Sequence, residues 1–212
     1  DTAPISLLVE GQKTIQGADT ISSSNKFVAY GKGGTVYAWH VGETTLLVNG
    51  KNTIPITVRP LYHLYDDPIL EWGCTKEYVK SHQKQGTLST KSNDKILYYE
   101  NAGAASFLAY SFENGKLKNV VAAVSTNHIS QYVDFLTERF LMIPYYEHEE
   151  TYFVGMDGLK TEDAKTVVML QVYNIKYLAA IYTSASMLST RSSSFEYVAR
   201  EKANEVLDIL SK

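Results

Sequence analysis

The sequence predicts a multidomain chain: an N-terminal all-β sandwich over residues 1–61, a C-terminal α+β domain over 69–212, and a short packed junction at 62–68. Three observations predict it. A length of 212 residues is comfortable for two domains. Up to Pro60, short apolar runs of period two alternate with Gly and Asn turns, and no helical spacing intrudes. Beyond Pro68, helical and strand spacings alternate, and their order recurs at a shift of 60 residues.

Composition narrows the class. Hydrophobic residues make up 44% and charged residues 20%, with 5 Pro and 13 Gly, which excludes disordered and low-complexity chains. The longest apolar runs, at 120–124 and 178–182, are far short of the ~20 residues of a membrane-spanning helix. A net charge of −3 without basic clusters lacks the electrostatic footprint of a nucleic-acid binder.

In the N-terminal part, strands are expected at 5–9, 26–30, 36–40, 45–48 and 54–58. Gly31-Lys32-Gly33-Gly34, Gly42-Glu43 and Asn49-Gly50-Lys51-Asn52 stand between them, and these residue types tolerate the positive φ of tight turns. Even spacing of short strands indicates an antiparallel sandwich.

The runs Ser24 to Tyr30, Gly34-Thr35-Val36-Tyr37-Ala38-Trp39, Val41 to Val48 and Ile56-Thr57-Val58 carry a resemblance. They show an Asn followed by a Val-Ala pair, a Gly-led strand start, a Gly-Glu turn feeding an apolar strand, and a closing Val-containing edge. Over about 60 residues this part resembles the bacterial immunoglobulin-like domain of group 2. The resemblance implies an Ig-like sandwich in an extracytoplasmic bacterial protein, where such a module acts as a spacer or adhesive unit.

Pro60 and Pro68 bracket an extended junction, in which Leu61, Tyr62, Leu64 and Tyr65 are expected to be buried between the domains. A helix is predicted at 75–85, with Thr75 as N-cap and Gly86 as stop. Strands at 96–100, 106–113 and 116–125 follow, the last two joined by Asn114-Gly115. Counting outward from that turn pairs Phe112 with Leu117, Tyr110 with Asn119 and Leu108 with Val121 on the core face. A second helix at 130–141 would bury Val133, Leu136, Thr137 and Phe140. Strands at 152–155, 166–173 and 176–183 complete the second helix-strand-strand-strand unit, with Val172 opposite Tyr177, Leu170 opposite Ala179 and Val168 opposite Ile181. A Ser-rich stretch at 184–194 leads to an amphipathic C-terminal helix, in which Phe195, Val198, Ala199, Ala203, Val206, Leu207 and Leu210 share one face with Lys202.

Two such units side by side would form one antiparallel sheet with helices on one face. That layout resembles the beta-lactamase-inhibitor-protein-like and TATA-binding-protein-like architectures. The run Gly73-Cys74-Thr75-Lys76-Glu77-Tyr78-Val79 is similar to the helix start of small envelope lipoproteins built on this unit, which implies a bacterial envelope binding module.

A search for chemistry yields no catalytic, cofactor or metal set. The five histidines, His40, His63, His82, His128 and His148, make no metal-ligand spacing. Tyr145-Tyr146-Glu147-His148-Glu149-Glu150 reads as a polar loop after Pro144, and Met156-Asp157-Gly158 as a turn without the acidic alternation of a calcium loop. No nucleophile elbow or phosphate-binding glycine pattern is present. Cys74, the single cysteine, reads as a packed apolar residue. The unusual number is 16 Tyr, and Tyr99, Tyr173 and Tyr182 are expected on the helix-free sheet face as weak candidates for binding.

The expectation is therefore a non-catalytic exported bacterial envelope protein for adhesion or macromolecule binding, taking a protein or cell-surface glycan as partner and no nucleic acid. It would be extracytoplasmic: at the cell surface, anchored to the outer membrane, or periplasmic. The start at Asp1 fits a processed precursor as well as a trimmed chain, and a lipid anchor upstream of Asp1 is compatible with that setting. The alternatives are a protein inhibitor or envelope assembly factor gripping through the open sheet face, and a hydrolase with an unfamiliar site.

Overall fold

A computed structural model describes residues 3–147 and 150–188. It is rich in β-sheet, with two short α-helices among the described residues.

Seven strands form before residue 60: β1 (Ile5–Leu8), β2 (Gln12–Thr14), β3 (Ile21–Ser23), β4 (Ala29–Lys32), β5 (Thr35–Ala38), β6 (Gly42–Val48) and β7 (Asn52–Arg59). They make two sheets, in the orders β1-β7-β6-β3 and β2-β5-β4. Inward residues of both sheets, among them Val36, Leu46, Ile56 and Val58, form one buried cluster. Two corrections follow. β2 and β3 are additional strands, because Gln-Lys-Thr and Ile-Ser-Ser carry no apolar alternation and are held by pairing with β5 and β6. The arrangement is also not wholly antiparallel, since β1 runs parallel to β7, with Ile5 opposite Ile56.

The rest of the described chain is a helix followed by four strands, twice over. The first unit is α1 (Lys76–His82), β8 (Thr87–Leu88), β9 (Ile96–Ala102), β10 (Ala105–Glu113) and β11 (Lys116–Ser125). The second is α2 (Ile129–Thr137), β12 (Leu141–Glu147), β13 (Glu150–Met156), β14 (Thr166–Val172) and β15 (Tyr177–Ser184). All eight strands form one sheet in the order β12-β13-β14-β15-β11-β10-β9-β8, so the last strand of each unit meets the other at the centre. The expected three strands per unit become four because β8 has only two residues and β12 occupies the run read as a helix end and polar loop. The backbone at Glu147 pairs with Glu150 at the tip of a β12–β13 hairpin, and His148 and Glu149 lie outside the described residues.

The shift of 60 holds in the ladders themselves. It carries the pair Phe107–Ala123 onto Val167–Thr183 and Ser111–Asn119 onto Gln171–Ala179. Each hairpin departs from the predicted register by one residue, through a different device. In the first, Phe112 faces Leu117 but Ser111 faces Asn119, which leaves Lys118 as a bulge and sets Tyr110 against Val120 and Leu108 against Ala122. In the second, the turn is wider: Tyr173 N–H donates to Tyr177 O, and Val172 faces Leu178. A one-residue slip exchanges the faces of a strand. Val168 accordingly lies opposite Tyr182 and Met169 opposite Ile181.

Both helices pack on one face. Thr75 Oγ1 caps α1 by accepting from Tyr78 N–H, and Val79 is the helix's buried residue. α2 buries Tyr132, Phe135 and Leu136; of the expected set Leu136 and, just beyond the helix, Phe140 are buried, whereas Val133 is half-buried and Thr137 exposed, because the helix is turned so that the Tyr132 hydroxyl reaches the Ala122 carbonyl at 2.9 Å. Under them lie Leu97, Leu108, Tyr110, Val120, Val168 and Leu170. The opposite face carries a second cluster that includes Ile96, Ala109, Val121, Met169 and Ile181. The predicted C-terminal helix at 195–210 lies outside the described residues.

In the junction, Tyr65 is buried and Leu64 half-buried, while Leu61 and Tyr62 are 51% and 42% exposed, contrary to expectation. What is engaged at 61–62 is backbone. Leu61 N–H and Tyr62 N–H donate to the two carboxylate oxygens of Glu138 at 2.8 and 3.1 Å, and Val41 N–H donates to the Glu138 carbonyl at 2.8 Å. Arg139 Nε donates to Asp67, and its guanidinium lies 3.8 Å from the Phe135 ring centroid. Further along, Ala104 N–H donates to Leu64 O at 2.7 Å, and only glycine fits at 103, where φ is +63° and a Cβ would meet that oxygen at 2.7 Å.

Candidate ligand groove

A groove of about 750 Å³ lies on the outer side of β4 and β5, within the size range of small-ligand sites. Strand alternation builds it. Ala29, Val36 and Ala38 point into the first core and are 0–5% exposed, so Tyr30, Tyr37 and the following Trp39 point out. Tyr30 and Tyr37 are cross-strand partners with rings stacked at 5.4 Å and 17°. Trp39 stands at 78° to Tyr30 with centroids 6.2 Å apart, which makes a corner of two aromatic planes. Tyr30 remains 38% and Trp39 40% exposed, so the rings have free surface to offer.

Ile21, Ser22 and Ser23 of β3 form a flank, and Gly31 lets that strand approach: a Cβ there would sit 2.4 Å from the Ile21 Cβ. Glu10 and Lys26 add one charge of each sign to the lining. Glu10 holds φ at +65°, an uncommon conformation for a side-chain-bearing residue, and its N–H donates to Ala38 O at 3.1 Å. Such strain gathers where geometry serves a function. The far wall is Leu159, 40% exposed, on the connection between β13 and β14. Asp157 ties that connection down, since its Oδ1 accepts from Lys165 N–H at 2.8 Å and Thr166 N–H at 2.9 Å. The groove thus offers aromatic planes, hydroxyl groups and a pair of opposite charges, which suits a ligand with both apolar faces and hydroxyl groups.

The tyrosines expected to bind are elsewhere. Tyr99 and Tyr182 are 5% and 1% exposed and belong to the helix-covered cluster, because Tyr99 lies opposite Leu108 of β10 and Tyr182 opposite Val168 of β14. Tyr173 is half-buried beside the cluster on the opposite face, so the three do not form one surface. Tyr182 instead completes a buried hydroxyl chain, 2.8 Å from Tyr65, which lies 3.0 Å from Tyr132. Tyr132 donates its single proton to Ala122 O, so Tyr65 must donate to Tyr132 and Tyr182 to Tyr65. Burial raises the pKa of all three phenols.

The sequence signal for the groove was present as the outward members of a period-two run, Tyr37 and Trp39, inside the segment that carries the Ig-like resemblance. Other candidates are structural. His40 is 2% exposed, stacked 3.9 Å from Phe27, with Nδ1 2.8 Å from the Phe27 carbonyl; burial lowers its pKa, and the hydrogen bond opposes that fall. A carbonyl only accepts, so Nδ1 carries the proton. Cys74 packs against the helix-covered core, and desolvation, aided by Glu71, pushes its thiol pKa up. Among the described residues, no group of three or more His, Cys, Asp or Glu side chains is placed to hold a metal ion. No helix among them is long and apolar enough to cross a membrane.

No protein-family model and no curated protein sequence matches the chain. Among solved structures, it is similar to a cysteine-rich secretory protein from Staphylococcus aureus at 12% identity and a TM-score of 0.27, covering 60% of this chain and 49% of that one. The chain thus spans about half the length of that protein.

Proposed function

We propose that the protein is a non-catalytic, extracytoplasmic binding protein of the bacterial envelope, which takes a cell-surface glycan in the groove of Tyr30, Tyr37 and Trp39. One observation carries this reading: three aromatic rings meet in an open corner whose other walls bear hydroxyl and charged groups. The CH faces of a pyranose ring pack on such planes, and its hydroxyls take up the polar lining. The proposal includes the finer architecture, with residues 1–61 as an Ig-like sandwich domain, 69–212 as an α+β domain and 62–68 as their junction. The shared core of the two small sheets and the doubled helix-plus-four-strand order support it.

The reading as an inhibitor or assembly factor gripping through the helix-free face has less support, because that face is withdrawn from water at Ile96, Val121 and Ile181. The test is a glycan array probed with the protein and with Trp39→Ala. Trp39 is 40% exposed, so the variant keeps the fold. Loss of a stacked ring at the centre of a binding site costs about 2 kcal/mol or more, and each 1.4 kcal/mol is tenfold in affinity. Binding of an oligosaccharide that Trp39→Ala weakens at least about tenfold supports the reading; an array without a hit, or a hit indifferent to Trp39, rejects it.

A further inference from the structure

We propose that a second cavity, where the N-terminal sheets meet α2 and β12, binds a primary ammonium group on a short apolar stem, held between Nε2 of His40 and the carboxylates of Glu10 and Asp134. The cavity measures about 290 Å³, at the lower edge of the range for small-ligand sites. Glu10 and Trp39 form a wall common to it and the aromatic groove, while His40, Tyr62 and Asp134 line this cavity and not the groove. The observation that points to a ligand is an unused atom. The structural role of His40 takes up one edge of its ring, where Nδ1–H donates to the Phe27 carbonyl. In that tautomer Nε2 carries a lone pair and no proton, and it has no hydrogen-bond partner, although the residue is 2% exposed. Buried polar atoms normally find a partner. Among the described residues, Asn119 Oδ1 is the one side-chain N or O atom that is sealed from solvent without one. Nε2 of His40 is therefore not sealed: it opens on the cavity that His40 lines, ready to accept from an N–H or O–H group brought there.

Charge decides which donor it takes. Three carboxylates line the cavity, from Glu10, Asp134 and Glu138, and no lysine or arginine does. Glu138 is already engaged, by the N–H groups of Leu61 and Tyr62 and by the Arg139 guanidinium at 3.6 Å. Glu10 and Asp134 have no ion-pair partner among the described residues. Asp134 lies four residues before Glu138 and so on the same side of α2. Glu10 is fixed by its φ of +65° and by the bond from its N–H to Ala38 O. A neutral hydroxyl would satisfy Nε2 but leave both charges uncompensated. An ammonium brings several N–H donors and the opposite charge, and so answers the imidazole and both carboxylates together. Trp39 and Tyr62, both exposed, add aromatic surface, which attracts cations, and exposed Leu61 adds apolar cover for a stem.

The experiment uses the full chain, isotopically labelled at its histidine nitrogens for NMR, at about pH 7.5, where alkylamines carry their proton. It is titrated with n-pentylamine and with Nα-acetyl-lysine amide, and with n-pentanol as the neutral isostere. The expected result is a saturable shift of the His40 Nε2 resonance with an amine, at an affinity about tenfold or more above that for the alcohol, and a further loss of about tenfold or more in Asp134→Lys. Asp134 is exposed, so that variant keeps the fold, and Asp134→Asn should weaken binding by a smaller factor. Tighter binding of n-pentylamine assigns a free amine as occupant, and tighter binding of the lysine derivative a side chain of a peptide; either supports the site. An equal response to n-pentanol, amine binding that leaves Nε2 unmoved, or undiminished binding by Asp134→Lys overturns the assignment. Because neither His40 nor Asp134 lines the groove, the outcome is independent of the glycan reading.

Discussion

Val121 and Ile181 face each other across the centre of the eight-stranded sheet, and they are also the same position of its two units, since the shift of 60 carries one onto the other. The ladder around them respects this relation: Asn119–Thr183 maps onto Ala179–Ala123. A two-fold relation requires such reciprocity, residue i meeting j and j meeting i.

The relation predicts that equivalent positions on the two sides carry comparable energy. Leu108 and Val168 are equivalent and both 0% exposed. Leu108→Ala should cost about 2–5 kcal/mol and Val168→Ala about 1.5–3 kcal/mol. Ile175→Ala, at a position 86% exposed, should change stability by less than about 0.5 kcal/mol. Urea denaturation reads all three, and a silent Val168→Ala would break the equivalence.

Glu138 should govern the junction. Its carboxylate is the acceptor for two backbone N–H groups at 61–62, and the residue is 5% exposed. Glu138→Ala strands those donors at a cost of about 1–3 kcal/mol. Limited proteolysis should then cut between residues 60 and 68 in the variant while sparing the parent; equal cutting in both would show that the latch does not hold the junction.

The direction of the tyrosine chain sets an order of effects. Tyr65→Phe leaves the Tyr182 hydroxyl without its acceptor, whereas Tyr182→Phe removes only a terminal donor. The first should cost about 1–3 kcal/mol and the second about 0.5–1.5 kcal/mol; the reverse order would refute the assigned proton positions. The same phenols set the alkaline limit. Burial raises the folded pKa of Tyr65, Tyr110, Tyr132 and Tyr182, and desolvation with Glu100 nearby pushes Tyr98 up to about 12. Unfolded tyrosine ionises near 10, so their contribution is intact below about pH 10 and lost as pH climbs above it. Absorbance titration at 295 nm should show a class of phenols that ionises only as the fold melts.

On the acid side His40 acts in the opposite sense. Its folded pKa lies below the unfolded value of about 6.5, so the unfolded chain binds the extra proton and stability falls as pH drops below about 6.5. An imidazole titration by NMR should place His40 below 6.5; a value above it would contradict the buried neutral ring.

What the sequence revealed was local. Asn114-Gly115 announces its hairpin because the turn needs residues that accept positive φ, and Asn114 and Gly115 hold +51° and +72°. Thr75 announces α1 because a cap hydroxyl acts within three residues. Non-local pairing hid the rest. β2, β3 and β8 are two or three residues long, and β12 looked like a helix end because Leu141 and Met142 continue the apolar spacing of α2. The Lys118 bulge leaves no mark in a hydrophobic pattern, yet it moved half a face of the sheet, and the wider turn at 173–177 did the same to Tyr182. The groove was half legible. Alternation points Tyr37 and Trp39 outward, but Leu159, which closes the site, lies far along the chain.

The central claim, a glycan held against the aromatic corner, is tested most directly by tryptophan fluorescence. The chain has two tryptophans, Trp39 in the groove and Trp72, whose indole N–H donates to Thr166 Oγ1 at 3.1 Å. In Trp72→Phe, Trp39 is the only tryptophan, and excitation on the red edge of the indole band leaves the tyrosines silent. Titration with an oligosaccharide identified on the array should shift or quench its emission along a saturable curve whose midpoint matches the affinity measured calorimetrically. Calorimetric binding of that oligosaccharide with no change in Trp39 emission would place the ligand elsewhere and contradict the account.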